Sequence, residues 1–306
     1  MRAKVVVIGS LNMDLVTHAE RLPRAGETLM GDDFATHAGG KGANQAVAAA
    51  RLGASVAMIG CVGEDGYGED LRQALIAEGI DCQGVEKVAG ARSGVALIVV
   101  DGDSQNAIVV VSGANARLDV AALQRFDALL QDASVVVCQL ETPLPTIGHA
   151  LRRAHELGKT VILNPAPAEA PLPSDWYAAI DYLIPNEAEA QALSGVPVYC
   201  PASAEQAAQR LRELGAHKVI VTLGSQGVRV VDEQRSQHSQ AFAVEAVDST
   251  AAGDTFVGAF AAALARGDSQ QDAVRFAQRA AALSVSRNGA QPSIPTLAEV
   301  EAAIHG

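Results

Sequence analysis

The run Asp248-Ser249-Thr250-Ala251-Ala252-Gly253-Asp254 gathers small residues and an aspartate directly ahead of an apolar stretch at 255–265. Read as a strand that ends and a helix that begins, it aims backbone N–H groups at one spot, and the helix dipole adds positive potential there. The small side chains of Ala251, Ala252 and Gly253 let an anion approach those donors, and Asp254 has the chemistry of a general base for a hydroxyl group. An aspartate in a first helical turn is also an ordinary capping residue, so the reading needs company. Gly39-Gly40-Lys41-Gly42-Ala43-Asn44-Gln45 is a second glycine-rich turn ahead of a helix, and Asn12 and Asp14 follow the first apolar run. Both lie where strand carboxyl ends are expected, the rim at which open α/β sheets bind ligands.

The elements that must position these residues are visible as an alternation. Short β-branched runs at 5–8, 56–59, 135–140, 161–163, 182–184 and 219–223 are strand-like, as is the segment leading to Asp248. Ala- and Leu-rich stretches at 43–52, 67–78, 146–157, 187–193 and 204–214 are helix-like, several closed by Gly53, Gly79, Gly158 or Gly215. Strands alternating with helices predict an α/β fold with a mainly parallel sheet covered on both faces. Residues 15–38 and 93–112 break the rhythm; the second reads as a strand at 95–100, a polar turn at 101–106 and a strand at 107–111. These predict antiparallel strands outside the main sheet, either a lid over a crevice or a contact between subunits.

Composition removes several classes of function. With 306 residues, 49% hydrophobic and 19% charged, the chain is a folded globular protein rather than a disordered or fibrous one. Only 4% of residues are aromatic, and 23 Lys and Arg face 35 Asp and Glu, a net charge of -12. Nucleic acid and anionic membranes are therefore not expected partners, and a phosphate site has to be local. Cys61, Cys82, Cys138 and Cys200 form no CxxC pair and there is no signal-like segment, which fits the cytoplasm. Lys41 does not belong to a P-loop, since Ala35 and Gly42 occupy positions that need Gly and Ser or Thr. No dinucleotide glycine fingerprint follows a strand, no hydrolase or zinc-protease motif is present, and the seven histidines lack ligand spacing.

Taken in order, the motifs resemble the ribokinase-like (PfkB) sugar kinase family from end to end. They are Gly9-Ser10-Leu11-Asn12-Met13-Asp14, the stretches 23–28 and 39–50, Gln139-Leu140-Glu141, Asn164-Pro165-Ala166-Pro167-Ala168, Pro185-Asn186-Glu187-Ala188-Glu189, Thr222-Leu223-Gly224-Ser225, 248–256 and Gly289-Ala290-Gln291-Pro292-Ser293. The resemblance implies one three-layer α/β/α kinase domain over 1–306, with lid strands from about 12–38 and 93–112 that also form a homodimer contact. It implies that Asn12, Asp14, Gly39, Gly40, Lys41, Asn44 and Glu141 hold a sugar, whose hydroxyls need fixed donors and acceptors. Thr222, Gly224, Ser225, Gly227 and Gln278, with Ala252 and Gly253, are implied to contact ATP. Asn186 and Glu189 correspond to an N-x-x-E element that organises Mg2+ through water. A K+-like ion is implied at Asp248, Thr250, Ser284, Arg287, Gly289 and Ser293, mostly on backbone carbonyls.

The implied reaction is direct transfer of the γ-phosphoryl group of ATP to the 5-hydroxyl of D-ribose, with Asp254 as base and the N–H groups of Ala251, Ala252 and Gly253 facing the developing charge. Two positions depart from the family pattern: Ala251 stands where many members carry Gly, and Gln278 where relatives place His or Asn near adenine. Asn12 favours ribose over 2-deoxyribose, because similar deoxyribose kinases tend to be apolar there. The alternatives are a kinase for 2-deoxyribose, a ketohexose or adenosine, a sugar-binding sensor that has lost the reaction, or an oxidoreductase, which lacks its fingerprint.

Overall fold

A computed structural model describes residues 4–102, 106–168 and 171–305. The strands are β1 (Lys4–Ile8), β2 (Asn12–His18), β3 (Asp33–Gly39), β4 (Ser55–Gly63), β5 (Asp81–Val88), β6 (Gly94–Val100), β7 (Asn106–Val111), β8 (Ala133–Cys138), β9 (Thr160–Leu163), β10 (Tyr182–Leu183), β11 (Lys218–Thr222), β12 (Val228–Val231) and β13 (Ser236–Ser239). The α-helices are α1 (Lys41–Arg51), α2 (Gly66–Ala77), α3 (Val120–Arg125), α4 (Asp127–Asp132), α5 (Leu144–Glu156), α6 (Glu187–Ser194), α7 (Pro201–Glu213), α8 (Ala252–Arg266), α9 (Gln270–Ser284) and α10 (Leu297–His305). The large sheet has the order β13-β12-β11-β10-β9-β8-β1-β4-β5. It is parallel from β11 to β5, and β12 and β13 turn back antiparallel at one edge.

Strand β1 shows why the sheet lies between two helical layers. Val5 is opposite Val56 on one side and Val135 on the other, and residues 5–8 are fully buried. The period of two sends Val5 and Val7 into one core and Val6 and Ile8 into the other. Ala46 of α1, Phe260 of α8, Ala277 of α9 and Val300 of α10 cover the first face. Leu123 of α3, Leu130 of α4, Ile147 of α5, Ala190 of α6 and Leu211 of α7 cover the second. The α/β sandwich expected from the alternation is what forms. No helix among the described residues is long and apolar enough to cross a membrane.

Helices α1 and α8 pack closely, because a Cβ at Gly258 would lie 2.5 Å from both the Ala48 Cβ and the Gln45 carbonyl. That approach brings the first turn of α1 against the first turn of α8, and the site described below depends on it.

The second sheet, β3-β2-β6-β7, stands apart as expected. Its outer pairs are antiparallel but its middle pair, β2 and β6, runs parallel. The reason is topological: β2 continues from β1 and β6 from β5, two parallel strands, so both leave the main sheet in the same direction. Of the turn expected at 101–106, residues 103–105 lie outside the described residues. One expected strand does not form. Residues 240–247 join no ladder, and the N–H groups of Val247 and Asp248 converge instead on the Val285 carbonyl, at 2.7 and 3.1 Å.

Candidate active site

The sugar-side residues expected from the sequence converge where β1, β8 and the first turns of α1 and α8 meet. Asp254, buried in the first turn of α8, is held by two amides: Asn44 Nδ2 donates to Oδ2 at 3.1 Å and Gln45 Nε2 donates to Oδ1 at 2.9 Å. Gln45 is in turn fixed, donating to Asn164 Oδ1 at 3.0 Å and accepting from Gln139 Nε2 at 2.6 Å. Asn44 Oδ1 is buried and has no partner among the described residues. Glu141 accepts from Ser10 Oγ at 2.5 Å and from the Lys41 N–H at 3.3 Å.

The carboxylates crowd one another. Burial, with the nearby carboxylates of Glu141 and Asp254, pushes Asp14 up to about 7. Gly39 makes room for it, since a Cβ there would collide with the Asp14 carboxylate. Burial alone would pull the Lys41 ammonium down, but Asp254, Glu141 and Glu189 together hold it above its ordinary value. Lys41 therefore stays charged and is the local cation among four carboxylates. Gly40 takes φ of 88° at the turn into α1.

At the start of α8, Ala251 is in the left-handed region with φ of 57°, which costs a non-glycine residue about 1 kcal/mol. The Ala252 N–H donates to Ser249 O at 3.2 Å. Those of Ala251 and Gly253 have no partner among the described residues and sit at the positive end of a helix running to Arg266.

The residues expected on the nucleotide side form a second group. Asn186 caps α6 and shares a capping box with Glu189: Glu189 N donates to Asn186 Oδ1 at 2.8 Å and Asn186 N to Glu189 Oε2 at 2.9 Å. Burial raises the Glu189 carboxyl, the Lys41 charge opposes that and Asp254 adds to it, so the box faces the same cluster. With each carboxylate oxygen already accepting a bond, the pair fits a magnesium ion held through water rather than directly. Among the described residues no group of three or more His, Cys, Asp and Glu could hold a metal ion. Thr222 pairs with Asn186 across the end of the sheet, and Gly224, Ser225 and Gly227 form the short turn that follows.

Gln278, expected to contact ATP, is hydrogen-bonded at the end of β13. Its Oε1 accepts from Ser239 Oγ at 2.6 Å and its Nε2 donates to the carbonyls of Ser239 and Gln240, at 3.2 and 3.1 Å. The amide ties α9 to the end of β13.

The expected cation residues are brought together in part. Asp248 Oδ1 accepts from Thr250 N and Oδ2 from Gly289 N, each at 2.8 Å, which closes the two loops on each other. Burial of this carboxyl is outweighed by those bonds, and it is held below the usual range. The Ser284 and Ser293 hydroxyls donate to Ala281 O and Ala290 O, and the Arg287 side chain turns to Glu299. These residues would reach an ion through their carbonyls, and an anionic Asp248 between two ordered loops fits a monovalent cation.

Sequence reasoning missed Gln45, Gln139, Asn164, Ser10 and Asn115 as site residues. The first four lie inside motifs that had been singled out. Asn115, in the short turn Gly113–Arg117, had no signal of its own.

A parallel sheet that carries a clamped carboxylate to the start of a small-residue helix, beside a β lid, is the architecture of a kinase for small hydroxylated substrates. The chain belongs to the pfkB family of carbohydrate kinases, which its residues 2–297 match. It is 44% identical over 299 residues to a ribokinase of Haemophilus influenzae, covering 98% of this chain and 97% of that one. To a deoxyribokinase of Salmonella typhi it is 38% identical over 293 residues, 96% of each. The solved structure of Arabidopsis thaliana ribokinase complexed with ribose and ATP matches it with a TM-score of 0.94 at 34% identity, over 100% of both chains.

Proposed function

We propose that this carbohydrate kinase phosphorylates the 5-hydroxyl of D-ribose, using MgATP, to give D-ribose 5-phosphate and ADP. The observation that carries the reading is Asp254, a buried carboxylate held by Asn44 and Gln45 beside unpartnered N–H groups at a helix start. Asp254 takes the hydroxyl proton as the sugar oxygen attacks the γ-phosphorus, and the bond from that phosphorus to the ADP oxygen breaks. The N–H groups of Ala251 and Gly253, with that of Ala252 once it leaves Ser249 O, face the negative charge on the transferring group. Asn12, Asp14, Lys41, Asn44 and Glu141 hold the sugar hydroxyls, and the Thr222–Gly227 turn lies along the nucleotide. Magnesium would neutralise phosphate charge beside Asn186 and Glu189, and a monovalent cation would order the Asp248 loop.

The ribokinase relatives support ribose, and so does Asn12, a polar side chain 3% exposed at the base of β2. A sugar lacking the hydroxyl that pairs with it leaves Asn12 unsatisfied, a cost of about 1–3 kcal/mol or roughly 5- to 150-fold in kcat/KM. The test is ADP release from MgATP with D-ribose, 2-deoxyribose, D-fructose and adenosine, each in potassium and in sodium buffer. Ribose should be fastest, and faster in potassium. Preference for another of the four would keep the chemistry and overturn the sugar. Ribose binding with no ADP formed would leave only the sensor reading.

We further propose one kinase domain whose lid pairs with a second copy. Strand β7 is exposed at every position, and Ile108, Val109, Val110 and Val111 are each about half exposed or more. A contiguous apolar strand at a sheet edge invites pairing. The mass in solution should be twice 31.5 kDa; a monomer at micromolar concentration would remove this interface.

A further inference from the structure

Asn115 is buried at 1% exposure behind Asn12, and the backbone leaves it a single orientation. Its Oδ1 accepts the Leu11 N–H at 2.9 Å, and a backbone N–H can only donate, so that atom must be the oxygen. Its Nδ2 then donates to the Leu11 carbonyl at 3.0 Å and to the Asn12 side chain at 2.8 Å. The Asn12 atom facing a donor must be Oδ1. Two amides that would otherwise be free to rotate end for end are thus fixed in series by the N–H and C=O groups of one residue, Leu11. The arrangement is tight: a Cβ at Gly94 would collide with both Asn12 Oδ1 and Asn115 Nδ2.

The consequence falls on Asn12 Nδ2, which has no partner among the described residues. Asn12 lines a cavity of about 400 Å³, together with Asn115, Ser112, Glu141 and Pro167 among others. A group that can only donate selects an oxygen, and a sugar hydroxyl placed there must pass its own proton to an acceptor such as the nearby carboxylates. We infer that Asn115 is a positioning residue for substrate choice: it keeps the Asn12 amide turned with its NH2 toward the sugar, so that the site requires the hydroxyl that 2-deoxyribose lacks. This inference rests on the sugar kinase reading and adds the residue that sets its selectivity.

The test is a double-mutant cycle. Asn115→Asp keeps the acceptor for the Leu11 N–H but faces Asn12 with an oxygen, which drives the Asn12 amide to turn over. The KM for ribose should rise about 10- to 100-fold, with kcat and the KM for 2-deoxyribose within about 3-fold. In an Asn12→Ala background the same substitution should change the ribose KM by less than about 2-fold, since its effect acts through Asn12. Should Asn115→Asp fail to fold, Asn115→Ala, which loosens the clamp without adding charge, should give the same pattern at about 5- to 20-fold. A rise for both sugars alike, or a full effect without the Asn12 side chain, overturns the inference. If the unsubstituted chain prefers a different sugar, the ribose reading has failed by itself, and the cycle run on that sugar and its deoxy counterpart still decides the role of Asn115.

Discussion

Asp254→Asn is expected to lower kcat by about a thousandfold, within the range a positioned general base supplies, and to leave the sugar KM within about 3-fold. The surroundings explain why the loss should be so clean. Gln45 cannot turn over, because Gln139 donates to its oxygen and its Nε2 already serves Asn164. The remaining carbonyl of the new amide therefore keeps its place opposite Gln45. The new NH2 meets Asn44, whose Oδ1 has no partner among the described residues, and a turn of the Asn44 amide offers that oxygen in exchange. The fold has somewhere to put the substitution, whereas the chemistry loses the carboxylate that the proposed mechanism uses as its base. Steady-state kinetics with thermal denaturation of the same preparation check both halves. A variant that keeps near-normal kcat would falsify the assignment of the base.

The second large effect combines opposite signs. Asp14→Asn should raise the ribose KM by about 100-fold by removing a charged acceptor for hydroxyl protons, yet stabilise the ligand-free chain at pH 8. The folded-state value of Asp14 is pushed up to about 7 from 3.8, so the folded chain holds this proton more tightly than the unfolded chain. Between about pH 4 and pH 7 the native state binds the extra proton, and stability falls as pH rises through that window. Above it the whole cost of an ionised Asp14 is present, and the variant escapes it. The gain at pH 8 should be about 2–4 kcal/mol and should vanish near pH 4, read from urea denaturation at the two values. Unsubstituted protein should bind sugar better as pH rises through 7, when Asp14 becomes the carboxylate. Equal stability of the two proteins at pH 8, with a flat pH profile for KM, would show that Asp14 is not the strained acceptor described here.

Both effects concern residues whose chemistry the sequence displays, and much of the rest was equally visible. The strand and helix alternation predicted the main sheet, and Gly53, Gly79, Gly158 and Gly215, expected to close helices, all have positive φ. Asn12, Asp14, Lys41, Asn44, Glu141 and Asp254 do gather at strand carboxyl ends. What stayed hidden were the amides between them. Gln45 and Asp254 are 209 positions apart, and whether a buried amide clamps, relays or merely fills space depends on which of its two ends faces which neighbour. Spacing along a chain carries no record of that. The strand expected before Asp248 failed for a related reason: alternating apolar residues describe a willing strand, but pairing needs a neighbour, and the ladder ends at β13. The bonds that hold Gln278 to Ser239 and Gln240 were equally invisible in the sequence.

Strand β2 carries a further consequence. Its first residues, Asn12 to Asp14, are buried at the proposed sugar side, and the same strand then runs outward to become the middle of the second sheet, the proposed lid, where His18 is exposed. Cover and floor are one continuous piece of backbone, stitched to β6 in register from Asn12 opposite Gly94 to His18 opposite Val100. The lid is consequently not an interchangeable part. If Asn12 and Asp14 hold the sugar as proposed, a chimaera that borrowed this sheet from a relative would import that relative's hydroxyl preference along with its roof, and one that kept the native β2 would keep the native sugar whatever loops were grafted around it.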